Sequence, residues 1–235
     1  MRTRPSRIHA ALIVPLAALA TLTGCGSALD TDIHPGAAAV VGDRSISISE
    51  VDDFADEYCS LFGLVLQQRG EKVPLGQIRT FAVTSILEDE LVHRFAEEEG
   101  LEPPPAYRQR LGVLEAEARE LNIPPKDVGT YVELSTRDAY AQSIKAQAGA
   151  DALEEAGEAV EPEAAAQRGK EVYSAWRDGV EVSVDPRFGT MDEDFTYIPG
   201  SVSLSTPVSE LARGAYAQNP DPGYVNTLPA SQTCG

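Results

Sequence analysis

Residues 37–59 read AAAVVGDRSISISEVDDFADEYC. Two short apolar-rich runs, Ala38 to Val41 and Ser45 to Ile48, flank Gly42-Asp43, a dipeptide suited to a tight hairpin turn. Ser45-Ile46-Ser47-Ile48 alternates with the period of two that marks a half-buried strand. Ser49-Glu50-Val51-Asp52 then has the pattern of a capping box before an apolar run. The stretch predicts strand, turn, strand and capped helix, a unit against which the rest of the chain must pack.

Downstream, apolar residues recur at helical spacing. A first helix over about 50–69 puts Val51, Phe54, Tyr58, Leu61, Phe62 and Val65 on one face, with Asp52, Asp53, Asp56 and Glu57 largely on the other. A second is expected from Pro74 to Glu99, before Gly100. A third spans about 106–121 after the Pro103-Pro104-Pro105 break, and a fourth runs from near Lys126 to Gly149. Asp151 to Glu163 is acidic, Ala-rich and weakly periodic, and reads as a loop or frayed helix. A fifth helix opens at Pro162, a favoured first position, and ends before Gly179. Val180, Val182 and Val184 alternate with Glu181, Ser183 and Asp185, a strand closed by Pro186. The expected fold is mostly α: about five helices, a small antiparallel sheet of the N-terminal hairpin plus the return strand, and an irregular tail over 190–235, with one short helix after Thr206-Pro207.

The N-terminus addresses the chain. Arg2, Arg4 and Arg7 precede an apolar run from Ala10 to Leu22, which is shorter than the ~20 residues a spanning helix needs. It runs into Leu22-Thr23-Gly24-Cys25, which resembles a bacterial lipobox. That resemblance implies a signal peptide over 1–24, lipidation of Cys25, a tether over 25–36 and anchoring at the outer face of the cytoplasmic membrane. An ordinary secretory leader is the alternative. With the three leader arginines removed, 16 basic residues face 37 carboxylates, a surface that repels nucleic acid and anionic lipid and suits positively patched partners. Cys59 and Cys234 are then the remaining cysteines; in an oxidising compartment the pair reads as one disulfide, two free thiols being the other possibility.

No catalytic constellation is visible. There is no G-x-S-x-G, and beyond the leader the histidines are His34 and His93. Histidines and cysteines lack zinc-ligand spacing, and Glu97-Glu98-Glu99 and Asp192-Glu193-Asp194 lack the spacing and glycine of a calcium loop. No phosphate-cradling glycine loop occurs. No cofactor and no enzymatic activity are expected.

Val40-Val41-Gly42-Asp43-Arg44-Ser45-Ile46-Ser47, followed by Ser49-Glu50-Val51-Asp52, resembles the opening of the N-terminal chaperone domain in the SurA/PrsA group of envelope foldases. Val182-Ser183-Val184-Asp185-Pro186-Arg187-Phe188-Gly189 is similar to the strand with which actinobacterial SurA-like lipoproteins return to that hairpin. The resemblance spans Ala37 to Gly189 and departs from the group in one respect. The 46 residues after Gly189 are too few for a parvulin-type isomerase domain, and no histidine occurs beyond His93. The resemblance therefore implies a client-holding module without isomerase activity, working without ATP on non-native or extended secreted polypeptides. Tyr107, Tyr131, Tyr140, Tyr173 and Trp176 are the candidate groove residues, core packing being the competing role. The alternatives are an adaptor lipoprotein that recognises one folded envelope partner and, less favoured, a diverged prolyl isomerase.

Overall fold

Strand β1 (Ala37–Val41) turns through Gly42-Asp43 into β2 (Arg44–Ser47), with Val41 opposite Arg44 and Ala39 opposite Ile46. Gly42 has φ +55°, and a Cβ there would run into the Arg94 guanidinium; a glycine at the first central position is what a tight hairpin turn of this hand requires. The computed structural model describes residues 35–188, 190–191, 197–198, 209 and 220–235. The leader, the lipobox Leu22-Thr23-Gly24-Cys25, most of the tether, His34, Asp192 to Asp194 and the short helix expected after Thr206-Pro207 lie outside those residues, apart from Ser209.

Helix α1 (Ile48–Arg69) begins directly at the end of β2. Its cap is Ser47, whose Oγ accepts from the Glu50 N–H at 3.1 Å, and not Ser49 as the sequence pattern suggested. Ser47 still pairs with Ala37 in the hairpin, so strand end and helix cap fall on one residue. Gly70 closes α1 with φ +68°, and β3 (Val73–Pro74) leads into α2 (Leu75–Glu99). Then come α3 (Pro105–Glu120), α4 (Val128–Glu155), α5 (Pro162–Arg177) and β4 (Val182–Val184). Two-residue strands β5 (Thr190–Met191) and β6 (Tyr197–Ile198) pair with each other. The described part of the tail carries α6 (Pro222–Thr227) and β7 (Thr233–Cys234).

The described residues are mostly helical, with a three-stranded antiparallel sheet in the order β2-β1-β4. Val182, Ser183 and Val184 pair with Val41, Val40 and Ala39, so the return strand closes on the hairpin. Asp185 ends it: its carboxylate takes bonds from the Arg187 backbone N–H and guanidinium at 2.6–2.9 Å. Those bonds hold the Asp185 carboxyl below its usual range, and Phe188 packs on the core beside them.

Helix α2 is the spine. Nine of its residues, from Ile78 to Ala96, are buried, because their spacing covers two adjacent faces rather than one stripe. Val83, Leu87, Leu91 and Phe95 join Val41 and Ile46 of the sheet, Val51 and Phe54 of α1, Ile144 of α4 and Tyr173 of α5 in the main core. A smaller cluster joins Leu61, Leu114, Ala118 and Tyr131. Of the loop or frayed helix read over Asp151 to Glu163, the first part is helix: α4 extends through Asp151 to Glu155, where Leu153 is buried, and the loop proper is 156–161.

Candidate functional site

The cap at Ser47 fixes which residues α1 turns toward the cleft at its N-terminal end. Glu50, Asp53, Phe54 and Glu57 form one wall. Antiparallel α2 supplies Ile86, Asp89 and Glu90, β2 supplies Arg44 and Ser47, and Arg137 of α4 closes the far side. The opening is about 370 Å³. Five carboxylates and two guanidinium groups line it, so its field is negative. Arg44 is engaged, bonding Glu50 at 2.7 Å and lying 3.5 Å from Glu90. Asp53 and Glu57 have no ion-pair partner among the described residues.

Arg137 is unusual for a cationic side chain. It donates to Glu133 at 3.1 Å and lies over the Phe54 ring at 5.0 Å, while its Nε and Nη1 are buried without an acceptor. The ring face and the carboxylates around the cleft offset part of the cost of burying that charge.

Beside the cleft, aromatic side chains run in a file along α1 and α2. Phe54 meets Phe81 edge-on at 5.9 Å, Phe81 meets Tyr58 at 5.5 Å, and Tyr58 meets Phe62 at 4.6 Å. Phe62 in turn reaches Tyr131 at 5.8 Å. Phe81 is 49 % exposed, a large apolar side chain open to solvent next to a carboxylate-lined cleft.

The five aromatic residues proposed from sequence do not come together in one groove. Tyr131 is buried in the smaller cluster. Tyr107 and Tyr140 meet at 5.6 Å, and Tyr140 stacks on His93 at 4.4 Å. Tyr173 and Trp176 sandwich against Phe95 at 5.3 and 5.1 Å. Tyr173 is buried, donates to Glu88 at 3.1 Å and lies under the Lys145 ammonium, which itself bonds Glu88. Burial and the Glu88 charge push its phenol far up, which fits a structural group. Core packing thus takes up Tyr131 and Tyr173. Among the described residues, no group of three or more His, Cys, Asp or Glu is placed to hold a metal ion.

Trp176 offers a spectroscopic handle, because it is the one tryptophan in the chain. Its indole N–H donates to Glu98 Oε2 at 2.7 Å, and Arg94 bonds Oε1 at 3.0 Å. These two donors, the indole first, hold the Glu98 carboxyl below its ordinary range. A carboxyl with a lowered folded pKa contributes stability that is present above the unfolded value and lost as pH falls through the folded one. Tryptophan emission is therefore expected to titrate with a midpoint below the ordinary glutamate value of about 4.3. A midpoint at or above that value would show that the indole–carboxylate bond is absent in solution.

Sequence reading missed the cleft. Asp53 and Glu57 are spaced i, i+4 beside Phe54, but their company with Asp89, Glu90 and Arg137 exists only once α1, α2 and α4 are packed. Cys59 and Cys234 are joined, with Cα atoms 5.4 Å apart, and fix the C-terminus against α1. No family model matches this chain, and neither does any curated protein or solved structure.

Proposed function

We propose that this chain is an exported, lipid-anchored protein that holds extended polypeptide without ATP. The segments it takes carry both basic and apolar side chains. The observation that carries this reading is the juxtaposition of the exposed Phe81 file with the negative cleft between α1, α2 and α4. An extended chain sends successive side chains to opposite sides, so one segment can lay an aromatic on Phe81 and a lysine or arginine among Asp53, Glu57 and Asp89. Each exposed ion pair contributes only about 0.2–1 kcal/mol, so apolar burial supplies most of the affinity and charge supplies selection. The resemblance of the hairpin and return strand to the SurA/PrsA chaperone module supports the same reading, as the lipobox supports anchoring through Cys25.

The test is binding of the lipid-free domain, bridge closed, to a panel of unfolded and folded exported proteins. Kd near the micromolar level, about −8 kcal/mol, is expected for several unfolded basic chains. It should be lost when they fold and weakened several-fold by Asp53→Lys with Glu57→Lys. Silence across the unfolded panel overturns it. In the full chain, Cys25→Ala should move the protein from the membrane to the soluble fraction; no change sinks the anchor.

A second reading has its own observation: the tail is seated on α1 through Cys234, covering part of that helix. It favours an adaptor with one folded partner, and a pull-down that returns a single folded envelope protein, with the unfolded panel silent, would select it.

A further inference from the structure

The C-terminal segment occupies a seat built from α1, β3 and the start of α2. Cys234 is buried there with Ala55 and Ile78, and Tyr58, Cys59, Leu66 and Val73 pack around it. Strand β7 lies antiparallel to β3, Cys234 opposite Val73 and Thr233 opposite Pro74. Gly235 fits so closely that a Cβ there would enter the Glu71 carbonyl and the Leu66 side chain. Tyr58 belongs both to this seat and to the aromatic file through Phe81 and Phe62. The seat and the exposed aromatic face are therefore one continuous surface along α1, and the protein's own tail covers one end of it.

The backbone hold on the tail is slight. The ladder is two residues long, and Pro74 has no N–H to contribute. Apart from the apolar seat, the bond between Cys59 and Cys234 is what ties the segment to α1. We propose that this bridge is a latch on the polypeptide-binding surface, and that opening it lets an extended client strand replace β7. The inference rests on the polypeptide-binding reading above and adds the means by which it is regulated. The client would pair with β3 as β7 does and place a small apolar side chain in the space between Ala55 and Ile78. Its neighbouring aromatic would reach Tyr58 and Phe81.

The opening reaction is thiol–disulfide exchange with a dithiol reductant of the thioredoxin class. Cys59 is half-buried and Cys234 buried, so a reductant thiolate attacks the Cys59 sulfur and the Cys234 thiolate leaves and takes a proton. The reductant's second thiolate then attacks the mixed disulfide and releases Cys59 as a thiol. Two electrons pass to the bridge, and the reductant departs as its own disulfide.

The experiment compares the mature domain with the bridge closed and after reduction by a dithiol. The probe is dye-labelled lysozyme, reduced and carboxamidomethylated, an unfolded basic chain with no thiol to exchange. Two readouts are taken: its Kd, and hydrogen exchange across the domain. The latch predicts that residues 233–235 lose protection, that α2 and α4 keep theirs, and that affinity rises at least tenfold. Cys59→Ser with Cys234→Ser should reproduce that affinity without reductant. Should the serine pair fail to fold, the reduced wild-type chain still decides the matter through hydrogen exchange. Protection lost throughout the domain makes the bridge a staple of the fold and overturns the latch. Equal affinity in the two states overturns the latch alone and leaves the polypeptide-binding reading standing. No binding in either state overturns both.

Discussion

Gly149→Ala is expected to lower the stability of the domain by about 3 kcal/mol, the upper end of ordinary overpacking costs. Helices α4 and α5 meet backbone to backbone at this point. A Cβ on Gly149 would fall inside the Ala165 carbonyl oxygen and against the Gly169 nitrogen, and one on Gly169 inside the Lys145 carbonyl. Backbone atoms of two long helices cannot step aside as a side chain can, so the helices must separate. Separation would also loosen Tyr173, which α5 places against Phe95 and Glu88. An opposing effect exists, since alanine is favoured over glycine in a helix by about 1 kcal/mol, but the clash is the larger. Gly112→Ala isolates that smaller term. Gly112 is exposed on α3 with nothing near its missing Cβ, and its replacement should raise stability by up to about 1 kcal/mol. Thermal unfolding reads both: a fall of about 6–12 °C for the first and a small rise for the second. An unchanged Tm for Gly149→Ala would mean that the two helices do not touch there.

The same contact explains where the sequence is hard to read. The strands are legible because Ser45-Ile46-Ser47-Ile48 and Val180 to Asp185 alternate, and alternation tells one face of a strand from the other. The long helices are legible because Leu, Val, Ile and Phe mark their buried sides. The α4–α5 seam is marked instead by Ala148, Gly149, Ala165 and Gly169. Small residues have the same appearance on a buried seam and on a solvated face, so the last turn of α4 reads as either a loop or a frayed helix. The α1 cap is ambiguous for another reason. Ser47 and Ser49 both stand three residues before a carboxylate, and only the hairpin register, which ends the strand on Ser47, chooses between them. Strand β3 is two residues long and exists because a partner about 160 positions along the chain is tied beside it; no local signal can report that. The cleft is the extreme case. Its carboxylates look like a solvated face on α1, and the arginine opposite them arrives on a different helix.

Phe95→Ala and Phe81→Ser separate the aromatic residues that hold the fold from those offered to a client. Phe95 is fully buried and packs on Tyr173 and Trp176, the two aromatics of α5. Truncating it removes a ring from the junction of sheet, α2 and α5, and should cost about 4 kcal/mol in transfer and cavity terms together. Affinity for an unfolded basic chain should stay as it was, measured well below the lowered Tm, because Phe95 does not line the cleft and lies about 21 Å along α2 from Phe81. Phe81 is 49 % exposed and touches the rings of Phe54 and Tyr58 at its edge. Replacing it with serine gives up partial burial and two aromatic contacts, about 1 kcal/mol of stability. Its cost to binding should be the larger, a loss of at least tenfold in Kd, since half of the ring stands open to solvent beside a negative cleft. Reversal of the two results, with Phe95→Ala abolishing binding in a folded domain and Phe81→Ser leaving it untouched, would move the binding surface to the α2–α5 face. Trp176 would then be the residue to test there. The expected pattern assigns Phe95, Tyr173 and Trp176 to the framework and leaves Phe81, Tyr58 and the carboxylates of α1 to meet the client.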